Sequence, residues 1–243
     1  MVDEHIHRYA DRVWAARHGV ETGAALRFGS LSRRMFQARA PEALVELAAR
    51  ASQDETRHAS RCADILRGRQ APVPPPETRL LEYAPAQLTA EQKLTYEVVA
   101  QSCVSETESM ATLVTLLDEA RGETLKSVIH ELTRDEVQHA RIGWGFLTWA
   151  RERMDLAFLA PLLPGMADGT AGPDLFRPAV LGTDDPTLYQ AGVVPHSDRQ
   201  RIYLETLDSV VIPGMNEHGV DTGPLRLWVE RQRAALASAA SGA

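Results

Sequence analysis

The sequence predicts an all-α protein: a four-helix bundle with one long crossover connection, followed by a C-terminal helical extension. Three observations predict it. Four long segments carry apolar residues at helical rather than strand spacing and are rich in Ala, Leu, Glu, Arg and Gln. Two of the three connections between them are only a few residues long, and the third contains the run Ala-Pro-Val-Pro-Pro-Pro. After Glu152 the pattern changes to shorter helical stretches separated by Gly- and Pro-rich chain.

The first helix spans about residues 3–38, with Gly19 and Gly23 marking a place where it can kink. The second spans about 41–66, and Pro41 suits a first helical turn. So short a connection makes the pair an antiparallel hairpin. Residues 67–88 cannot be helical through the proline run. A helix of about 26 residues is about 39 Å long, and about 20 residues of extended chain can run back along it at about 3.3 Å each. The third and fourth helices, at about 89–119 and 123–152, form a second hairpin around Gly122. Residues 1–152 therefore read as the bundle, and 153–243 as an extension packing on it. Within the extension, 156–166 suits a short helix and 167–195 a loop. Residues 198–211 and 225–239 suit two further helices, separated by Pro213-Gly214 and Gly219.

Acidic residues outnumber basic ones by 33 to 26, for a formal charge of −7. No basic cluster resembles a nucleic-acid footprint, and no stretch is long and apolar enough for a bilayer. Neither nucleic acid nor membrane is an expected partner. The start Met-Val-Asp-Glu-His lacks the apolar centre of a secretory signal, so a cytoplasmic location is expected. Cys62 and Cys103 have no metal-finger or redox spacing and read as small buried hydrophobes.

Two segments are near copies: Asp54-Glu55-Thr56-Arg57-His58 and Asp135-Glu136-Val137-Gln138-His139, each followed by Ala. Glu and His at i and i+3 share a helical face and can grip one metal ion. Each copy has a glutamate on the preceding helix, Glu21 at 34 positions before Glu55 and Glu106 at 30 before Glu136. A tight hairpin brings members of each pair to similar heights. Both faces are core-like, with Trp14, Ala24, Phe28 and Met35 around Glu21, and Val99, Cys103, Met110 and Leu113 around Glu106. Four unpaired buried carboxylates would be prohibitively costly, so they must be protonated or bind cations. Two divalent ions balance four carboxylates, and mixed oxygen and nitrogen donors suit iron or manganese.

On these residues the chain resembles the ferritin-like di-iron carboxylate superfamily over roughly residues 11–151. The resemblance implies a di-metal site in which Glu21 and Glu106 are terminal or bridging ligands, Glu55 and Glu136 bridge, and His58 and His139 each cap one metal. Which glutamate bridges is left open. With the second and fourth helices antiparallel, Asp135 can approach His58 while Asp54 approaches His139, each orienting an imidazole from outside. His18, one turn before Glu21, is a possible extra ligand. N-oxygenating relatives place their additional histidine where this chain has Leu132, which favours a structural role for His18. His5, His7, His130 and His196 read as exposed or structural, and His218 as a residue that can approach the site from the extension. Tyr96 and Tyr203 are candidate redox-active neighbours. Ala25, Ala59 and Ala140, each one turn beyond a ligand glutamate, either leave room for oxygen or a substrate or let the helices approach closely.

The resemblance implies two iron ions, with manganese an alternative, O2 as co-substrate and an external electron donor. The leading reading is a di-iron oxygenase or oxidase acting on a small organic substrate by hydroxylation, desaturation or N-oxygenation. Its motive is the extension beyond Glu152, which can roof the site. The alternative is iron handling by ferroxidation, or a manganese protein consuming peroxide. A redox partner protein or reductant is expected, and a homodimer is left open.

Overall fold

The computed structural model describes residues 2–241, with side chains described over 4–239. Helix α1 is Val2–Gln37 and α2 is Glu42–Gly68. Gly19 and Gly23 do not interrupt α1, which runs as one helix. Only four residues join α1 to α2, and the pair packs antiparallel, with Ser52 Oγ donating to the Ala25 carbonyl and Ser32 Oγ to that of Val45. The crossover then leaves without helix. It is tied to α1 by Arg69 Nε on Asp11 at 2.6 Å and by the Glu77 amide on Thr22 Oγ1 at 3.0 Å.

Thr89 and Gln92 cap the next helix reciprocally, side chain to backbone in both directions. This helix, α3, is not uniform. It is α-helical over Ala90–Val98, π-helical over Val99–Ser105 and α-helical again over Glu106–Leu116. The expected unbroken α-helix is therefore corrected by a π-helical stretch ending at the residue before Glu106. After Gly122, whose φ of 88° favours glycine, α4 occupies Glu123–Ala150. With α1 antiparallel to α2 and α3 to α4, the four form the ferritin-like bundle with its single long crossover.

Residues 153–241 pack onto this bundle. A 3₁₀ turn, Ala157–Leu162, leads into α5, Leu163–Ala171, and a second 3₁₀ turn covers Pro186–Ala191. The stretch expected to be loop thus contains two short helical pieces. Helix α6 begins at His196–Thr206, passes through a π-helical turn at Leu207–Val211 and continues as Ile212–Glu217. Pro213 was expected to end this helix and does not. The π turn already disrupts the hydrogen-bond ladder where proline lacks its N–H. Helix α7 is Gly223–Ser241, and residues 242–243 of the small-residue tail lie outside the described residues. Among the described residues no helix is long and apolar enough to cross a membrane.

Apolar side chains fall into two buried clusters, one containing Phe28, Leu31, Val99, Ile142 and Phe146, the other Trp14, Cys62, Leu113, Ile129 and Leu132. The first includes Tyr203, Leu204, Met215 and Trp228, so the extension shares a core with the bundle. Between the clusters, α1 to α4 contribute a layer of buried polar side chains.

Candidate metal centre

All six predicted ligand side chains lie in that polar layer, and none is more than 4% exposed. Their donor atoms form two groups, Glu21 with Glu55, His58 and Glu136, and Glu106 with Glu55, Glu136 and His139. Within each group the donor atoms lie within 4.8 Å of one another. Glu55 and Glu136 belong to both groups, so a pair of ions would share them. Glu21 with His58 stands on one side and Glu106 with His139 on the other. His18 falls outside both groups. It is buried, its Nδ1 has no hydrogen-bond partner, and burial lowers its pKa.

The cluster fits divalent ions on a direct observation. Both Glu55 oxygens and His58 Nδ1 are buried without a hydrogen-bond partner. Yet His139 Nδ1 is 3.0 Å from Glu55 Oε1, and His58 Nδ1 is 3.3 Å from Glu55 Oε2. These approaches lack hydrogen-bond angles, while His139 Nδ1 reaches Glu136 Oε2 at 3.1 Å in hydrogen-bond geometry; buried donor atoms gathered this closely with so few partners suit a cation. Electrostatics agree. Burial, then the charges of Glu55 and Glu136 respectively, hold the Glu21 and Glu106 carboxyls well above the usual range. Burial also opposes ionisation of Glu55, but the approach of His139, His58 and Glu21 outweighs it and holds that carboxyl low. For both imidazoles burial acts downwards and the surrounding carboxylates prevail, so their pKa values rise. Protons and metal ions would therefore compete for Glu21, Glu106, His58 and His139.

The outer imidazole nitrogens meet the aspartates crosswise: His58 Nε2 lies 3.3 Å from Asp135 Oδ2, and His139 Nε2 lies 3.4 Å from Asp54 Oδ2. Arg57 clamps the two aspartates together, its Nη2 donating to Asp54 Oδ1 at 2.8 Å and Asp135 Oδ2 at 2.6 Å. Arg57 Nε and Arg61 Nε both donate to Glu131, and Arg134 Nε donates to Asp135 Oδ1 at 2.9 Å. Burial works against ionisation of Asp135, but hydrogen bonds from Arg134, His58 and Arg57 bring its pKa down to about 2. The aspartates therefore serve imidazole and arginine together. Arg57, inside the first motif, had a readable signal in its position; Glu131 and Arg134 had none.

Further side chains hold the carboxylates. Gln101, in the π-helical stretch, accepts from Arg27 Nε and donates through Nε2 to Glu106 Oε1. Ser109 Oγ donates to Glu136 Oε1 at 3.1 Å. The Phe28 ring stacks obliquely on His139, centroids 5.4 Å apart, and closes the site on the side of the larger apolar cluster.

A cavity of about 640 Å³ reaches the cluster at Glu21 and Ser109. It runs along the face between α1 and α3, from Tyr9 and Leu116 at one end to Arg27 and Tyr96 at the other. The crossover contributes Tyr83, and the extension supplies Met166, Thr170, Gly192, Val194 and Arg199. Tyr96 therefore borders the cavity. Tyr203 does not, and its hydroxyl donates to the Ala167 carbonyl at 2.5 Å. His218 lies away from the cluster, with Nε2 against Thr148 Oγ1 and Nδ1 against the Gly214 carbonyl.

A solved structure similar to this chain is protein 19 with aldehyde deformylating oxidase activity from Synechococcus, at a TM-score of 0.57 and 14% sequence identity. The alignment covers 93% of this chain and 97% of that chain. What the two share is the fold. Coverage that wide takes in most of the extension as well as the bundle. No protein-family model matches the chain. A comparison with curated proteins found no match.

Proposed function

We propose that this chain is a di-metal oxidoreductase, and that with iron in the cluster it is an oxygenase or oxidase acting on a small organic substrate. The observation that carries this reading is the union of two ligand groups through Glu55 and Glu136, with Glu21 on the wall of a cavity of about 640 Å³. A cavity of that size suits a small molecule. Glu55 and Glu136 would be shared between two ions, with Glu21 and His58 serving one and Glu106 and His139 the other. When bound, the iron pair supplies oxygen activation, with electrons returned by an external reductant. Asp54 and Asp135 fix the tautomer and orientation of the imidazoles. Gln101 and Ser109 hold Glu106 and Glu136 in place, while apolar clusters pack on either side of the ligand layer. Likeness in fold to a protein with aldehyde deformylating oxidase activity supports the oxidative reading.

Ferroxidation, or peroxide consumption with manganese, is the competing reading. Oxygen uptake by the ferrous protein with a reductant, assayed with and without candidate organic substrates, separates them. An oxygenase releases an oxidised organic product. Oxygen uptake matched only by ferric mineral in an assembled shell would reject it.

A further inference from the structure

Three arginines line the cavity, Arg17, Arg27 and Arg199, against the carboxylates Glu21 and Glu108. Arg27 commits its Nε to Gln101. Arg199 Nε lies 3.8 Å from Glu108 Oε1, also beyond hydrogen-bond reach, but its side chain is 43% exposed and open to water. Arg17 differs in its burial. Its side chain is only 16% exposed and its Nη1 lies 3.8 Å from Glu21 Oε1, beyond hydrogen-bond reach. It makes no hydrogen bond among the described residues, and the Trp14 ring lies 5.9 Å from its guanidinium carbon. A guanidinium offers five N–H donors, and a poorly hydrated one without acceptors is costly. In the proposed site Glu21 gives its charge to an ion, which leaves Arg17 still less to pair with. The planar fork of a guanidinium matches a carboxylate in two parallel bonds. Val13, Val20, Ala100, Leu116 and Met166 line the same space and suit an apolar body.

We propose that the cavity takes an organic carboxylate and that Arg17 binds its charged group beside Glu21, laying the apolar remainder along the face between α1 and α3. The assignment deepens the oxidative reading of this site and, as a substrate claim, rests on it.

Octanoate and octanamide are matched in size and differ in charge. Titrated calorimetrically and without oxygen into ferrous-loaded protein, octanoate is expected to bind about tenfold or more tightly than the amide. Arg17→Met should abolish that preference and Arg17→Lys should weaken it, with ions per chain measured on the same samples and unchanged. Equal binding of both probes by the unaltered protein overturns the proposal. So does full octanoate affinity in metal-loaded Arg17→Met, the result if the carboxylate sits on the ions alone. Should Arg17→Met misfold or lose metal, Arg17→Lys decides: weakened octanoate binding supports Arg17, and unchanged binding overturns it. A protein that takes up no ions defeats the oxidative reading by itself. Octanoate preference and its dependence on Arg17 in the metal-free protein then decide the anion site separately.

Discussion

Asp54 and Asp135 each face an imidazole on one side and arginine on the other, so they couple ligand orientation to a charge network reaching the surface. Asp135→Asn should leave the fold intact and lower metal affinity by about 10- to 100-fold. Competition against a chelator measures this, and unchanged affinity for both ions would contradict it. Proton competition sets a further expectation. Glu21, Glu106, His58 and His139 all have raised pKa values, so protons compete more strongly with a metal ion at each. Metal affinity should therefore rise with pH through the range where these groups titrate, falling in acid as protons reoccupy the ligands. Titrations at pH 6 and pH 8 in weak buffer should find tighter binding at the higher pH and protons released on uptake; equal affinity without proton release would contradict this. At this scale much was legible. The repeated D-E-x-x-H motif carries its own geometry, because i and i+3 share a face and antiparallel helices force the crosswise pairing of Asp with His. Arg17, Gln101 and Ser109 were not legible, since each gains meaning only from what lies across the cavity or in the next helix.

Among elements, the π-helical stretch Val99–Ser105 matters most, because it delivers Gln101 and Glu106 to the cluster together. No residue pattern encodes an i to i+5 register, which is why Ala90–Leu116 reads in sequence as ordinary helix. Gly143 on α4 is its counterpart. A Cβ there would meet Cys103 Sγ closely and come within 2.9 Å of the Cys103 amide nitrogen and Ser102 Cβ. Gly143→Ala should cost about 1–3 kcal/mol through overpacking. Chemical denaturation tests it, and a midpoint equal to that of the unaltered protein would show that the helices have room to part. The roof is anchored in a similar way. Gly192 has φ of 71°, and a Cβ there would lie 2.9 Å from both Leu125 and Trp14, while Trp14 Nε1 donates to the Ala191 carbonyl. Gly192→Ala combines backbone strain with a clash and should destabilise by more than about 1 kcal/mol. Thermal unfolding within error of the unaltered protein would contradict it. The helices themselves were legible from period and the hairpin connections. The persistence of α6 through Pro213 was not, because it depends on the π turn before it.

Across the whole molecule, the buried polar layer divides the core, and the extension packs on both apolar clusters and lines part of the cavity. A chain ended at residue 152 would expose Leu204-facing and Met215-facing surfaces of the larger cluster, and should bind hydrophobic dye and unfold without cooperativity. A compact, cooperatively folding product would contradict that. Bundle topology was legible because linker lengths dictate it. The position of the extension was not, since its contacts join residues far apart in sequence, such as Gly214 against Trp144. The central claim is that one site holds two ions through shared carboxylates, and metal content tests it most directly. Folded protein loaded with ferrous iron without oxygen should hold about two ions per chain, Glu21→Ala about one, and Glu55→Ala or Glu136→Ala close to none. Well below one ion in the unaltered folded protein, or about two retained when Glu55 or Glu136 is replaced, would contradict it.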